Sequence, residues 1–268
     1  MSGYWFPLQY LAVHDRNGRY AALARHFAQR AASLTALMEY PELQAAIDTT
    51  AVPDDYVKLL PAVEALRIRH SVVSATVLLR GDSRFLSFRR GAAVIQAVRF
   101  ASAFFGKGQF VTASWRNQEE TYVLTQSLEA GSYQPLDPPR RVQPGEWAEV
   151  RGSRRESEVC RLVQSARIRE TRNGLRVRIR VEGTPNVPVA VEIGLREGGK
   201  LEGCIEAGGA WVLAEGYAAY RAGNDVLRFG PGPREHSYTQ VRGAMPPLPG
   251  IRVYLCGYAP FDREIEIS

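Results

Sequence analysis

Residues 228–238, RFGPGPREHSY, combine turn-forming glycines and prolines with side chains that can move protons. On a β-strand, His236 and Tyr238 would point to the same face, and such a pair can act as base and acid on a sugar acid. The alternative is a tight connection between strands, with Arg234 at an edge that contacts a sugar. We predict His236 and Tyr238 as catalytic candidates on the first interpretation, and the sequence leaves both open.

A second group of functional side chains surrounds Asn173-Gly174, a dipeptide that strongly favours a two-residue type I′ hairpin. If these two residues form the turn, Arg169 pairs with Arg178 across the hairpin. The next pairs in this register are Arg167 with Arg180 and Ile168 with Ile179. Alternation then gives one apolar face and one polar face, and the polar face carries Arg167, Arg169, Arg176, Arg178 and Arg180.

Like charges that face each other across a sheet are destabilising, so this arginine-bearing face needs compensation. Carboxylates on neighbouring strands would provide it, and the candidates are Glu192, Glu264 and Glu266. Alternatively, the arginines bind an anionic polymer, because a guanidinium matches carboxylate and sulfate groups. On that interpretation the predicted glycan-binding residues are Arg167, Arg169, Arg178, Arg180 and Arg234. Nucleic acid is disfavoured, because aromatic residues are not interleaved with these arginines.

Motifs of common catalytic and metal sites are absent from the sequence. It contains no GxSxG, Walker A, HExxH or paired CxxC pattern. The prolines of GPGPRE remove amide donors that a phosphate loop needs. The cysteines, Cys160, Cys204 and Cys256, are odd in number and far apart, which favours free thiols. We predict neither a cofactor nor a metal.

The charge of the chain comes almost wholly from arginine. Its 268 residues carry a formal net charge of +6, and the lysines are only Lys58, Lys107 and Lys200. This indicates either an acidic partner or a compositional preference for arginine. No apolar run is long enough for a membrane span, and the N-terminus lacks the pattern of a secretion signal.

Two kinds of secondary structure are predicted to position these side chains, helices near the N-terminus and strands in the rest of the chain. Residues 19–34, RYAALARHFAQRAASL, have apolar residues at helical spacing, and Asn17-Gly18 is a suitable lead-in. A second short helix is predicted around residues 41–47, with proline in its first turn. We predict a small helical segment over residues 1–62.

From about Leu66 the apolar residues alternate with a period of two, which predicts antiparallel strands. The predicted strands are residues 71–79, 84–88, 93–105, 121–129, 161–170, 175–181, 189–195, 210–215, 226–229, 252–258 and 264–267. Residues 63–268 therefore form an antiparallel sandwich or barrel, mainly β in class. The Pro/Gly/charge-rich residues 135–158 are a linker or a crossover between sheets.

Four stretches resemble a known family: SVVSATVLLRGDSRFLSFRRG, AVRFASAFFGKGQF, DVLRFGPGPREHSYTQVRGAMP and VYLCGYAPFDREIEI. They look like the C-terminal portion of bacterial heparinase II/III-like proteins, in which an α/α toroid precedes a galactose-mutarotase-like β-supersandwich. The resemblance spans roughly residues 5–268 and implies that the N-terminal helices correspond to the end of the toroid. It implies a large antiparallel β-supersandwich of bacterial type. Because no signal peptide is visible, the compartment is left open between the bacterial cytoplasm and the periplasm.

Three functions follow as expectations. The first is a carbohydrate-associated module that binds or scaffolds an anionic polysaccharide. The second is a polysaccharide lyase acting on uronic-acid-containing glycans, although the toroid that supplies most lyase residues in the family is essentially absent here. The third is a structural or oligomerisation domain without a ligand. The partners expected are a polysaccharide, an upstream toroid domain or a second copy of the chain.

Overall fold

The computed structural model describes residues 4–28, 34–45 and 47–268. Contacts between Cα atoms divide the chain into two units, Met1–Tyr56 and Val57–Ser268. The predicted boundary was at residue 62. Each unit is described by itself, and no helix in the described ranges is both long and apolar enough to cross a membrane.

The first unit contains short helices: α1 (Trp5–His14), α2 (Gly18–Phe27) and α3 (Leu34–Glu39), followed by a 3₁₀ turn over Pro41–Gln44. The lead-in predicted at Asn17 is confirmed, because its side chain caps α2 by accepting from the Arg19 N–H at 3.0 Å. Helix α1 was not predicted.

Two helix predictions need correction. The helix predicted over residues 19–34 ends at Phe27, where the Ala28 N–H closes the last turn on the Ala24 carbonyl at 2.8 Å. Residues 29–33 of that prediction lie outside the described residues. The helix predicted around residues 41–47 is a single 3₁₀ turn that begins at Pro41 and ends at Gln44.

The described residues contain 17 strands and one further short α-helix, α4 (Trp147–Val150). In chain order the strands are β1 (Asp55–Leu60), β2 (Ala65–His70), β3 (Val73–Leu78), β4 (Leu86–Arg90), β5 (Ala93–Ser102), β6 (Ser114–Gln118), β7 (Thr121–Tyr133), β8 (Glu156–Thr171), β9 (Gly174–Glu182), β10 (Pro188–Leu195), β11 (Lys200–Glu202), β12 (Ile205–Ala207), β13 (Ala210–Val212), β14 (Ala218–Ala222), β15 (Asp225–Gly230), β16 (Ile251–Tyr258) and β17 (Phe261–Ile267). Every predicted strand overlaps an observed one.

The strands form two large sheets, which confirms the mainly β sandwich. A nine-stranded sheet has the order β1-β2-β3-β4-β5-β10-β16-β13-β12, and an eight-stranded sheet has the order β11-β14-β15-β17-β9-β8-β7-β6. Their inner faces share one apolar core. Strand β9 shows why: Val177, Ile179 and Val181 are buried in it, while the arginines between them are exposed.

The predicted register of the arginine hairpin is wrong by two residues. Arg169 pairs with Arg176, and Arg167 pairs with Arg178, so the turn residues are Arg172 and Asn173. Neither adopts the positive φ that a type I′ turn requires. A shift of two leaves every side chain on its predicted face, so the alternation was right although the pairing was not.

Gly174 has a different role from the one predicted for it. A Cβ at this position would overlap the carbonyl oxygen of Ile267 in β17. Glycine is therefore required where β9 begins, for close approach of two backbones, and it does not supply a turn conformation.

Residues 134–155 connect neighbouring strands of one sheet. Strands β7 and β8 pair antiparallel over the whole length of β7, from Thr121 opposite Arg169 to Tyr133 opposite Glu156. The segment predicted at 135–158 as a linker or a crossover between sheets is therefore a long hairpin loop, which contains α4.

Candidate functional site

The arginine face covers the outer side of strands β8 and β9, and it consists of Arg167, Arg169, Arg176, Arg178 and Arg180. Strand β17 lies beside β9 and presents a row of carboxylates to it. Arg176 is opposite Glu266, Arg178 is opposite Glu264, and Arg180 is opposite Asp262. Opposite charges thus face each other across this strand pair.

Close ion pairs use these carboxylates. Arg178 donates through Nε and Nη2 to the two oxygens of Asp262, at 2.6 and 2.7 Å. Arg176 bridges Glu264 at 3.1 Å and Glu266 at 3.0 Å. The interleaving predicted for Glu264 and Glu266 is therefore confirmed.

One further ion pair of the face was not predicted, and one predicted partner is not part of the face. Arg180 pairs with Glu182 of its own strand at 2.5 Å. Glu192 was also predicted to compensate the arginines, and this is wrong, because it is buried in the nine-stranded sheet with Arg99.

The electrostatics of the Arg178–Asp262 pair follow from its two hydrogen bonds. The hydrogen bond from Arg178 holds the pKa of the Asp262 carboxyl below its ordinary value, and it raises the pKa of Arg178 in turn. Both side chains remain partly exposed, so solvent weakens their attraction. The arginines of β9 are therefore all engaged in ion pairs with carboxylates.

The other half of the face is different. Arg167 and Arg169 lie on β8, and Arg116 lies on β6, with β7 between the two strands. Arg116 and Arg167 are both opposite Val123. Among the described residues, no carboxylate lies within ion-pair distance of these three guanidiniums, and Arg167 contacts only the Gln118 amide oxygen, at 3.4 Å. We call Arg116, Arg167 and Arg169 the basic strip.

Sequence reasoning missed Arg116, because SWRNQ lacks the alternation that predicts a strand. In the structure, the burial of the neighbouring residue Val123 draws attention to Arg116. Val123 lies on the outer face between Arg116 and Arg167, yet only 3% of its surface is exposed. This is expected where long arginine stems cover a sheet while their charged ends stay in water.

Arg234 does not join the other predicted glycan-binding residues. It lies in the loop after β15 and forms an isolated bridge with Cys256 of β16, in the nine-stranded sheet. The next residue, Glu235, holds the loop by accepting from Arg263 at 2.7 Å and from the Tyr258 N–H at 3.0 Å. The prediction grouped arginines that the fold places on different sheets.

His236 lies in the same loop and not on a strand. Its buried ring donates from Nε2 to the carbonyls of Gly257 at 2.9 Å and Val189 at 3.1 Å, and its Nδ1 accepts from the Tyr238 N–H at 3.1 Å. These bonds assign the proton to Nε2 and engage both ring nitrogens. Tyr238 is 57% exposed. The catalytic role of the pair remains a prediction to which this geometry lends no support.

Metal ligands and thiols are the remaining candidate groups for chemistry in the described ranges. They contain no group of three or more His, Cys, Asp or Glu side chains able to hold a metal ion. Burial raises the pKa of Cys256 to about 12 and that of Cys204 to about 11, so both thiols are protonated at neutral pH.

Comparison with known proteins returned no match among family models, curated proteins or solved structures. The resemblance to heparinase II/III-like proteins stays a prediction.

Proposed function

We propose that the protein is a β-sandwich module that binds an anionic polysaccharide through the basic strip. The observation that carries the proposal is the contrast within the arginine face. Arg176, Arg178 and Arg180 are all neutralised by carboxylates, while Arg116, Arg167 and Arg169 have no described acidic partner.

The geometry of the strip favours a polymer over a small anion. Arg116 and Arg167 stand two strands apart, roughly 10 Å, and Arg167 and Arg169 are two residues apart along β8, roughly 7 Å. The charges are thus spread along a surface and do not converge on one point. A chain with repeated carboxylate or sulfate groups can meet several guanidiniums at once, each through paired hydrogen bonds.

The same strip offers little to a nucleic acid. Single-stranded nucleic acids bind basic grooves largely by stacking their bases on aromatic rings. The aromatic residues of β6 and β7 that lie nearest the strip, Trp115 and Tyr122, are packed against the sandwich core. Tyr133 is exposed, but it lies at the opposite end of β7 from the strip. The polymer proposed is therefore a charged glycan.

The proposal is tested by retention on immobilised heparin and polygalacturonate, with elution by salt. The double variant Arg167→Gln/Arg169→Gln keeps side-chain stems over the sheet but removes two charges, and it should elute at clearly lower salt than the wild type. The matched control, Arg140→Gln/Arg141→Gln, removes two charges from the β7–β8 loop and should elute close to the wild type.

Equal shifts in both double variants would contradict the proposal, because retention would then follow net charge alone. Weak retention that neither variant changes would favour the structural or oligomerisation domain. The lyase alternative has its own signal, namely ultraviolet absorbance from a new double bond in polygalacturonate or heparin, abolished in His236→Ala.

A further inference from the structure

A cleft of about 230 Å³ lies at one corner of the sandwich, between β2 of one sheet and strands β6–β8 of the other. Since about 10–15 Å³ holds one water molecule, the cleft has room for a small organic molecule. Its lining consists of Val57, Leu66, Ile68, Asn117, Glu120, Tyr122, Ile168, Arg169 and Glu170.

The lining has an apolar floor and a polar rim. Leu66, Ile68 and Ile168 belong to the shared core and are almost fully buried. The polar rim carries an amide, a guanidinium and two carboxylates, from Asn117, Arg169, Glu120 and Glu170, of which Glu170 is half-buried and the others are exposed. A concave apolar surface with a few converging polar groups is the usual form of a small-molecule site.

The turn that carries Glu120 is strained. Gln118 pairs with Thr121, so Glu119 and Glu120 form a two-residue turn, with φ of 47° and 64°. Such turns normally use glycine, asparagine or aspartate, because other side chains disfavour positive φ. Backbone strain of this kind concentrates at ligand sites.

Two further features support a built site. His70 of β2 contacts Glu170 of β8 through Nε2, so a polar contact joins the two sheets beside the cleft. Burial and then the charge of Glu120 raise the pKa of the Tyr122 hydroxyl, which therefore stays protonated and able to donate.

We propose that this cleft binds one neutral sugar residue, at the end of the glycan whose charged stretch lies on the basic strip. The inference rests on the proposed function, and Arg169 belongs to both surfaces. Glu120 and Glu170 accept hydrogen bonds from sugar hydroxyls, Arg169 and Asn117 donate to sugar oxygens, and the floor meets the C–H groups of the ring.

The charge balance selects the neutral sugar. Two carboxylates outnumber the one guanidinium that lines the cleft, so a uronate would meet net repulsion wherever His70, which contacts Glu170, is neutral. A hydroxyl-rich ring carries no charge and donates to both carboxylates.

The test is titration of the full chain with methyl glycosides of glucose, galactose, mannose and xylose, followed by NMR. We expect one of them to bind in the millimolar range. Glu120→Gln should weaken this binding about 10-fold or more, since hydrogen bonds to charged groups contribute about 1.5–3 kcal/mol. The matched control is Glu119→Gln, which changes the same charge in the same turn at a position outside the cleft.

Three outcomes would overturn the inference: no binding of any methyl glycoside, equal effects of the Glu119 and Glu120 variants, or tighter binding of methyl glucuronide than of the neutral sugars. Heparin elution separates the two proposals. If Glu120→Gln and the wild type bind no methyl glycoside while the Arg167/Arg169 variant still loses retention, the cleft proposal fails and the polysaccharide module stands.

Discussion

Arg99 and Glu192 form an ion pair that is almost wholly removed from solvent, with side chains only 6% and 7% exposed. Arg99 Nε donates to Glu192 Oε2 at 2.6 Å, between the neighbouring strands β5 and β10. The pair also holds the long loop that follows β15. Arg99 donates to the carbonyl of Pro246, and the Leu248 N–H donates to Glu192 Oε1 at 2.8 Å.

Removal of one partner from this pair should be severe. We expect Glu192→Ala to destabilise the protein by about 3–5 kcal/mol, because it leaves a buried guanidinium without its carboxylate. Urea unfolding measures the change. The double variant Arg99→Met/Glu192→Leu should be more stable than either Arg99→Met or Glu192→Leu alone. If the stability lost in the double variant equals the sum of the losses in the two single variants, the two charges do not depend on each other.

Glu192 also shows where sequence patterning fails. The alternation of VAVEIGL suggested an exposed glutamate, yet residues 189–195 of β10 are all buried. The core covers one side of the strand, and the loop after β15 covers the other, through contacts such as Leu248 with Glu192. Cover by a segment more than 50 residues away in sequence leaves no periodic signal in the strand.

Whether a strand has one buried side and one solvent-exposed side decides how much of its structure the sequence could predict. Alternation identified the arginine face, because β9 has one core side and one solvent side. It missed the edge strand β6, and with it Arg116, because that strand has no buried residue. The cleft could not be predicted from the sequence either, because Ile68 and Tyr122 lie on different sheets and line one cleft only when the sheets stack.

His236 should stabilise the loop after β15. We expect His236→Ala to cost about 1–3 kcal/mol, because the Gly257 and Val189 carbonyls and the Tyr238 N–H lose their partner. Thermal unfolding measures the loss. His236→Gln is the informative second variant, because its amide can still donate to a carbonyl, and it should recover part of the loss. Unchanged stability in both variants would remove this structural role.

A glycine in the β4–β5 turn permits a link between the two sheets. The Asp225 carboxylate at the start of β15 accepts from the Ala92 N–H at 2.7 Å. A Cβ at Gly91, whose φ is +53°, would overlap this carboxylate. We therefore expect Gly91→Ala to destabilise by about 2–4 kcal/mol, the sum of backbone strain and a lost charge-assisted hydrogen bond.

The matched control for this effect is Gly81→Ala. Gly81 also has positive φ, +75°, but a Cβ there would have no atom within 4 Å. Its substitution carries the backbone strain alone, about 1–2 kcal/mol. Urea unfolding of both variants isolates the contribution of the Asp225 link, and equal losses would contradict it.

The Arg178–Asp262 pair should make stability depend on pH in a defined direction. The folded-state pKa of Asp262 is lowered, chiefly by the hydrogen bond from Arg178, so its contribution is present above the unfolded-state pKa of about 4. The contribution is lost as the pH falls through the folded-state pKa. Arg178→Gln should therefore cost up to about 1 kcal/mol at pH 6–7, a size set by partial exposure, and progressively less as the pH falls and the Asp262 carboxyl takes up its proton.

Urea unfolding from pH 7 to pH 2 would reveal this convergence of the wild type and Arg178→Gln. Arg161→Gln is the control, since its partner Glu129 is more exposed than Asp262 and the pair has a single short contact, at 2.9 Å. We expect little change from it at any pH. A difference between wild type and Arg178→Gln that stays constant down to pH 2 would show that Arg178 acts by covering the sheet and not through the Asp262 charge.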